Sequence, residues 1–352
     1  MFQRFKKEAA LTSPLEKDWS SEDLEPVHMC PYCGSHDRTI AYKEVQDWSF
    51  YCAPGKWNYW DCVNCQSLYL DPRPTLMTIG AAYAKYYTHG KVESNFSVQS
   101  IKTRLKNECL SQKLNANIEP RLYVTKLLDW AVAFIGKRVP VPFGWALLAG
   151  RSKGSFLDVG CGAGLTVSLA RNLGWDSMGI EIDPAAVREA QRSGLKILEG
   201  AYTQLTQFQG KFDCIMCSHV LEHVHEPLDL LSKLKLAMKP NGLLLISLPN
   251  ALSPMRHHFG ANWRGLEAPR HISIPSEFYL LKLLSEAGFS VKSISGSGFD
   301  TAAESFRIQR RGKELNRQDI TKARQLEDRS LIVNPANDFI NFVCELSVAT
   351  PK

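Results

Sequence analysis

The chain has 352 residues, enough to bury a full core and to hold about two domains. With 44% hydrophobic and 22% charged residues it has the composition of a soluble globular protein and lies outside the disordered range. A net charge of +6 is mild at this length and does not by itself point to nucleic acid. No apolar core follows Met1–Lys7, so no secretory signal is read, and ten cysteines then point to the reducing cytoplasm. Residues 1–26 mix charge, Ser and Pro without a sustained period and read as a loosely ordered lead-in.

Cys30-Pro-Tyr-Cys33 and Cys62-Val-Asn-Cys65 each place two thiols on a tight knuckle. Together, Cys30, Cys33, Cys62 and Cys65 supply the four soft ligands of a tetrahedral, closed and therefore structural Zn²⁺ site. The residues between the pairs alternate aromatic and polar types, as in Trp57-Asn58-Tyr59-Trp60, which predicts a β-hairpin within a small module over 27–75. Cys52 is left as a packing thiol.

A helical connector is predicted over 76–150. Leu70-Asp-Pro-Arg-Pro-Thr75 stops the preceding strand, and Thr75 reads as the N-cap of a helix over 76–87. Ile101, Leu105, Cys109 and Leu114 recur at helical intervals. The apolar stretch 127–150 is interrupted by Asp129, Lys137, Arg138, Pro140 and Pro142, which argues for a buried helix and against a membrane span. Contact with a membrane surface is the alternative for that stretch.

From residue 151 the pattern changes. Phe156–Val159 is a short apolar run that meets Gly160, Gly162 and Gly164, and a helical pattern follows: strand, glycine turn, helix. The next strand ends at Glu181, 21 positions after Gly160, about the offset at which an acidic residue reaches a ribose in such folds. Further strands are predicted at 195–198, 212–217, 241–248, 289–294 and 342–348, separated by helical patterns, so the sheet is mostly parallel and doubly wound.

Three blocks carry a resemblance: Leu157–Gly164, Gly179-Ile-Glu-Ile-Asp183 and Phe212–Val224 with its Val-Leu-Glu-His-Val ending. In order and spacing they resemble the successive motifs of class I S-adenosylmethionine-dependent methyltransferases, in the branch acting on small molecules and sugars. The knuckles, Pro72-Arg-Pro74 and the Tyr-rich stretch after them are similar, more loosely, to the zinc-binding front ends of sugar methyltransferases. The resemblance implies a seven-stranded Rossmann-like sheet with helices on both faces and an antiparallel last strand, over 151–352. It also implies a cofactor pocket lined by Asp158, Gly160, Cys161, Gly162, Gly164, Glu181, Ile182, Ala201, Ser218 and His219.

Methyl transfer to a hydroxyl calls for a base, and His223, after the strand at 212–217, and His271 are the candidates. The segment 249–275 reads as a lid or substrate wall, in which Arg256, Arg264 and Arg270 could grip an anionic group. Residues 301–330, with eight Lys/Arg and five Asp/Glu, read as a charged solvated helix. The expected substrate is a small molecule such as a sugar, glycan or lipid-linked intermediate. The rivals are an RNA methyltransferase and a non-catalytic binding scaffold. Against RNA stand the Cys30–Cys65 interval, with three Lys/Arg and four Asp/Glu, and the lack of any Pro-Cys dipeptide. Nothing in the sequence fixes an oligomeric state.

Overall fold

The computed structural model describes residues 15, 18–83, 101–119, 121–122, 129–137, 139–297, 301–333 and 338–346. The N-terminal part contains β1 (Leu24–Glu25), β2 (Arg38–Val45), β3 (Trp57–Cys62), β4 (Leu68–Leu70) and β5 (Arg73–Pro74). Three helices follow: α1 (Ile101–Leu114), α2 (Asp129–Gly136) and α3 (Trp145–Gly150). The α/β part runs β6 (Ser155–Val159), α4 (Leu165–Asn172), β7 (Asp176–Glu181), α5 (Pro184–Arg192), β8 (Ile197–Glu199), β9 (Phe212–Ser218), α6 (Pro227–Ala237) and β10 (Met238–Pro249). It continues with α7 (Pro254–Phe259), β11 (Ser273–Ile274), α8 (Glu277–Glu286), β12 (Phe289–Ser297), α9 (Thr301–Gln309), α10 (Arg317–Val333) and β13 (Phe339–Leu346).

The seven-stranded sheet has the order β12-β13-β10-β9-β6-β7-β8. β10, β9, β6, β7 and β8 are parallel, and β13 runs antiparallel to both of its neighbours. The chain leaves β6 toward β7 and β8, then returns to the other side of β6 as β9. That reversal opens a crevice at the carboxyl ends of β6 and β9, where ligands bind in such sheets. The central strands are apolar on both faces: Phe156, Leu157 and Val159 of β6 and Leu243–Ile246 of β10 are buried, as helices on either side require.

The four-stranded sheet of the small module has the order β11-β4-β3-β2, so its edge strand comes from residues 273–274. The predicted hairpin is β2–β3, paired antiparallel. One buried cluster joins the knuckle residues Cys30, Tyr32, Cys62, Cys65 and Tyr69 to Leu157, Ile180, Ile215 and Leu280 of the α/β part. A second packs Trp57, Tyr59, Leu68 and Leu70 against Met255, Trp263, Leu266 and Ile272. A module too small for its own core borrows one from the larger part.

Three expectations are corrected. The end of the lead-in is ordered: Trp19 meets Trp57 edge to face with centroids 5.5 Å apart, and β1 pairs with β5. Of the helix expected over 76–87, the described portion is a 3₁₀ turn at Ile79–Tyr83, with Thr75 and Thr78 hydroxyls 2.9 Å apart at its start; residues 84–87 lie outside the described residues. The segment 249–275, expected as a lid or substrate wall, is packed down and does not stand free as a lid. Ala251, Met255, Trp263, Leu266 and Ile272 are buried, and β11 extends the module's sheet.

Candidate active site

At the end of β6, Gly160, Gly162 and Gly164 all take left-handed φ angles of 54–79°. A Cβ on Gly160 would lie 2.5 Å from Val220 Cγ2, whereas one on Gly162 would meet nothing within 4 Å. The first glycine therefore lets the loop after β9 close on the turn, and the second leaves the turn's outer surface bare. Gly162 N–H donates to Glu181 Oε2 at 2.8 Å, and Asp183 N–H donates to Oε1 at 2.8 Å. The glycine turn and the acid at the end of β7 thus face one another in direct contact.

Asp158 lies beneath them, 5% exposed. Burial, and then the charge of Glu181, push its carboxyl up to about 8. Cys161 is half-buried, its thiol raised by burial and by the same two carboxylates. Ile182 is 69% exposed next to Glu181, an apolar wall at the strand ends. Ala201, half-buried, opens a 3₁₀ turn just past β8.

β9 ends at Ser218, which is half-buried. His219 follows at φ 56°, donates its backbone N–H to Ser247 O at 2.7 Å, and places Nδ1 3.2 Å from Glu222 Oε1. His223 closes a short 3₁₀ turn, Leu221–His223, rather than starting a helix. Its Nδ1 is 3.0 Å from the Arg270 carbonyl and 3.0 Å from Tyr83 Oη. A carbonyl only accepts, so Nδ1 carries the proton and Nε2 keeps the lone pair. His271 is buried, with Nδ1 2.7 Å from Gly265 O; burial holds its imidazole down to about 4, so it is neutral. The two rings meet edge to face, centroids 4.6 Å apart.

Glu222 links these groups. It is fully buried, and its Oε2 has no hydrogen-bond partner among the described residues. Ligand atoms of Glu222, His223 and His271 all lie within 4.8 Å of one another. Burial raises the Glu222 carboxyl, but the hydrogen bond with His219 and the facing imidazoles bring it below the usual carboxylate range. Sequence reasoning passed over Glu222, although it stands inside the quoted Val-Leu-Glu-His-Val block. Tyr83 carried no signal beyond lying in a Tyr-rich stretch.

The arginine grip expected in 249–275 is overturned. Arg256 Nη2 donates to both carboxylate oxygens of Asp61, at 2.8 and 2.6 Å, and Arg264 pairs with Glu267. Arg270 is fully buried against Asp47 at 2.7 and 3.0 Å and against Glu267 at 3.1 Å. Each guanidinium already faces a carboxylate of the protein, and two of them tie this segment to the small module.

The four predicted cysteines come together. Both knuckles close alike: Gly34 N–H and Gln66 N–H return to the carbonyls of Cys30 and Cys62 at 2.9 Å, with φ of 70° and 54°. The Cys30–Cys65 and Cys33–Cys62 sulfurs are 3.5 and 3.4 Å apart, and all four lie within 4.8 Å of one another. These separations are too long for a disulfide, ~2.05 Å, and near the ~3.8 Å edge of a tetrahedron built on Zn–S bonds of ~2.3 Å. The cluster is compatible with zinc. It touches the α/β part directly: Ser276 Oγ donates to Cys65 O at 2.5 Å, and Tyr32 Oη to Ser273 O at 3.3 Å.

A methyltransferase-domain family model matches residues 141–294. Among curated proteins, the ubiquinone biosynthesis O-methyltransferase of Glaesserella parasuis is 31% identical over 179 residues, 46% of this chain and 74% of the relative. The chain belongs to the class I S-adenosylmethionine-dependent methyltransferases. The enzyme of the same name from Dinoroseobacter shibae is 29% identical, over 46% of this chain and 69% of the relative. A solved S-adenosylmethionine-dependent methyltransferase from Archaeoglobus fulgidus overlays with a TM-score of 0.39 at 18% identity, over 55% of this chain and 86% of the other.

The residues of this methyltransferase fit its cofactor. S-adenosylmethionine carries a sulfonium, an ammonium and a carboxylate. Two adjoining carboxylates, Asp158 and Glu181, favour a cation where they meet, and the bare surface at Gly162 admits a ligand against the backbone. The eight-residue α4 begins there, and the first N–H groups of a helix suit an anion such as the cofactor's carboxylate.

Proposed function

We propose that the chain transfers the methyl group to a hydroxyl of a small molecule, a sugar, glycan or lipid-linked intermediate, with His223 as general base. The observation that carries this is the placement of the His219–Glu222–His223–His271 cluster: residues 219–223 follow β9 directly, His271 meets His223 ring to ring, and Val220 packs on Gly160 of the cofactor turn. Two of the relatives named above are O-methyltransferases, which supports oxygen as the acceptor atom.

The cofactor, when bound, supplies an electrophilic methyl group on sulfonium. The chain's own groups then have separate tasks. Glu181 takes the ribose hydroxyls and Asp158 the ammonium; Gly160, Cys161, Gly162 and Gly164 shape the turn; Ile182, Ala201, Ser218 and His219 wall the pocket. His223 Nε2 accepts the hydroxyl proton. The imidazolium so formed is stabilised by the nearby buried carboxylate of Glu222. His271, buried and neutral, is a positioning residue rather than the base. His223→Ala is expected to lower the rate of transfer from labelled cofactor into the small-molecule fractions of a cell extract by ~100-fold or more, with cofactor affinity unchanged. An unchanged rate would rule out His223 as base, and label entering RNA instead would overturn the small-molecule acceptor.

We further propose that Cys30, Cys33, Cys62 and Cys65 hold one structural Zn²⁺. Four thiols gathered in a partly buried cluster gain from a cation that neutralises them, and four protein ligands leave no open position for catalysis. Metal analysis of the purified protein should return one zinc per chain, and Cys62→Ser should lower both zinc content and thermal stability. A folded, metal-free protein with unchanged stability would contradict the assignment.

A further inference from the structure

We infer that α2 is a docking face for an anionic lipid surface. α2 turns one side inward: Val132 and Gly136 pack on α1, where Cys109 Sγ reaches Val132 O at 3.6 Å and a Cβ on Gly136 would lie 3.4 Å from Cys109 Cβ. The other side carries Trp130, Ala133 and Phe134, spaced i, i+3 and i+4, and Lys137 follows the last helical residue directly; all four are exposed. Trp130 is 72% and Phe134 61% exposed, on the same short helix. Large aromatics set side by side in water are unusual on a soluble surface and mark contact sites. Trp and Phe on one helical face with a long lysine just past its end are the combination that suits the headgroup region of a bilayer, with ring bodies in the acyl boundary and the ammonium at the phosphates.

Charge selects the occupant. Residues 101–153 hold ten Lys and Arg against three Asp and Glu, a surplus of seven, while the whole chain's surplus is six (42 against 36). The entire positive balance of the protein is thus gathered in the helical segment that carries the aromatics. Arg104, Lys106, Lys137 and Arg151 are exposed within it. An exposed aromatic pair with Lys137 beside it, in a segment of net positive charge, complements phosphate headgroups, and neutral apolar partners have no use for the charge. Among the described residues no helix is long and apolar enough to cross a membrane, so α2 lies on such a surface and does not span it.

The test is co-sedimentation of the full chain with phosphatidylcholine vesicles and with vesicles carrying one third phosphatidylglycerol, at low and high salt, beside the Trp130→Ser/Phe134→Ser double variant. The expected result is binding to the anionic vesicles that high salt abolishes and that falls at least ~tenfold in the double variant, with thermal midpoint and cofactor affinity as in the wild type. Failure of the wild type to bind anionic vesicles overturns the inference, as does equal binding by the double variant. A dimer in sedimentation velocity that the double variant disperses, without vesicle binding, would instead assign the face to a second copy of the chain. None of these outcomes depends on the identity of the methyl acceptor.

Discussion

Replacing Arg270 with methionine should lower the free energy of unfolding by about 3–5 kcal/mol, the usual cost of breaking a buried ion pair by removing one partner. The guanidinium is fully buried and donates to Asp47, Glu267 and the Ala82 carbonyl. Asp47 in turn accepts N–H bonds from Phe50, Cys52 and Ala53, so its charge orders the loop between β2 and β3. Removing Arg270 leaves two buried carboxylates, Asp47 and Glu267, without their shared partner. It also loosens the Arg270 carbonyl that fixes His223. Urea unfolding reads the stability loss; a change below ~1 kcal/mol would mean that the pair is no better than a surface bridge. Adding Asp47→Asn to the methionine variant removes one orphan charge and should recover part of the loss.

Asp158→Asn should have opposite effects on stability and on binding. In the ligand-free protein the folded-state carboxyl titrates at about 8, well above its ordinary value of 3.8. Between these two values the native state binds more protons than the unfolded one, so stability falls as pH rises from about 4 to about 8. Asparagine carries no such charge. The variant should therefore gain thermal stability at pH 8, lose this part of the pH slope, and bind the cofactor at least ~tenfold more weakly. Scans of thermal midpoint against pH, with and without cofactor, check both halves. A variant that is less stable at pH 8, or that binds as well as the wild type, would remove Asp158 from the site.

Much of this was legible in the chain. Strand, glycine turn and acidic strand end are local signals, since Gly160, Gly162 and Gly164 are demanded by backbone angles and close approach and not by distant partners. The knuckles are local too, each closed within five residues. What sequence patterns could not give were pairings across long separations. Arg256 and Arg270 stood out as free cations because their carboxylates, Asp61 and Asp47, lie about 200 residues away. The same holds for β11, a two-residue strand whose only signal is the sheet edge it completes. Glu222 was hidden for a different reason: a glutamate next to a histidine reads as an exposed helix residue, and only burial shows otherwise.

The central claim is that the glycine turn and Glu181 together receive the cofactor. Titrating S-adenosylhomocysteine into the wild type and into Glu181→Ala by calorimetry, with thermal midpoints recorded for both, tests it most directly. Binding to the wild type that weakens at least ~tenfold in a folded variant is the predicted result, as expected for loss of charge-assisted hydrogen bonds. A folded wild type that takes up no ligand, or equal affinity in the two proteins, would contradict it.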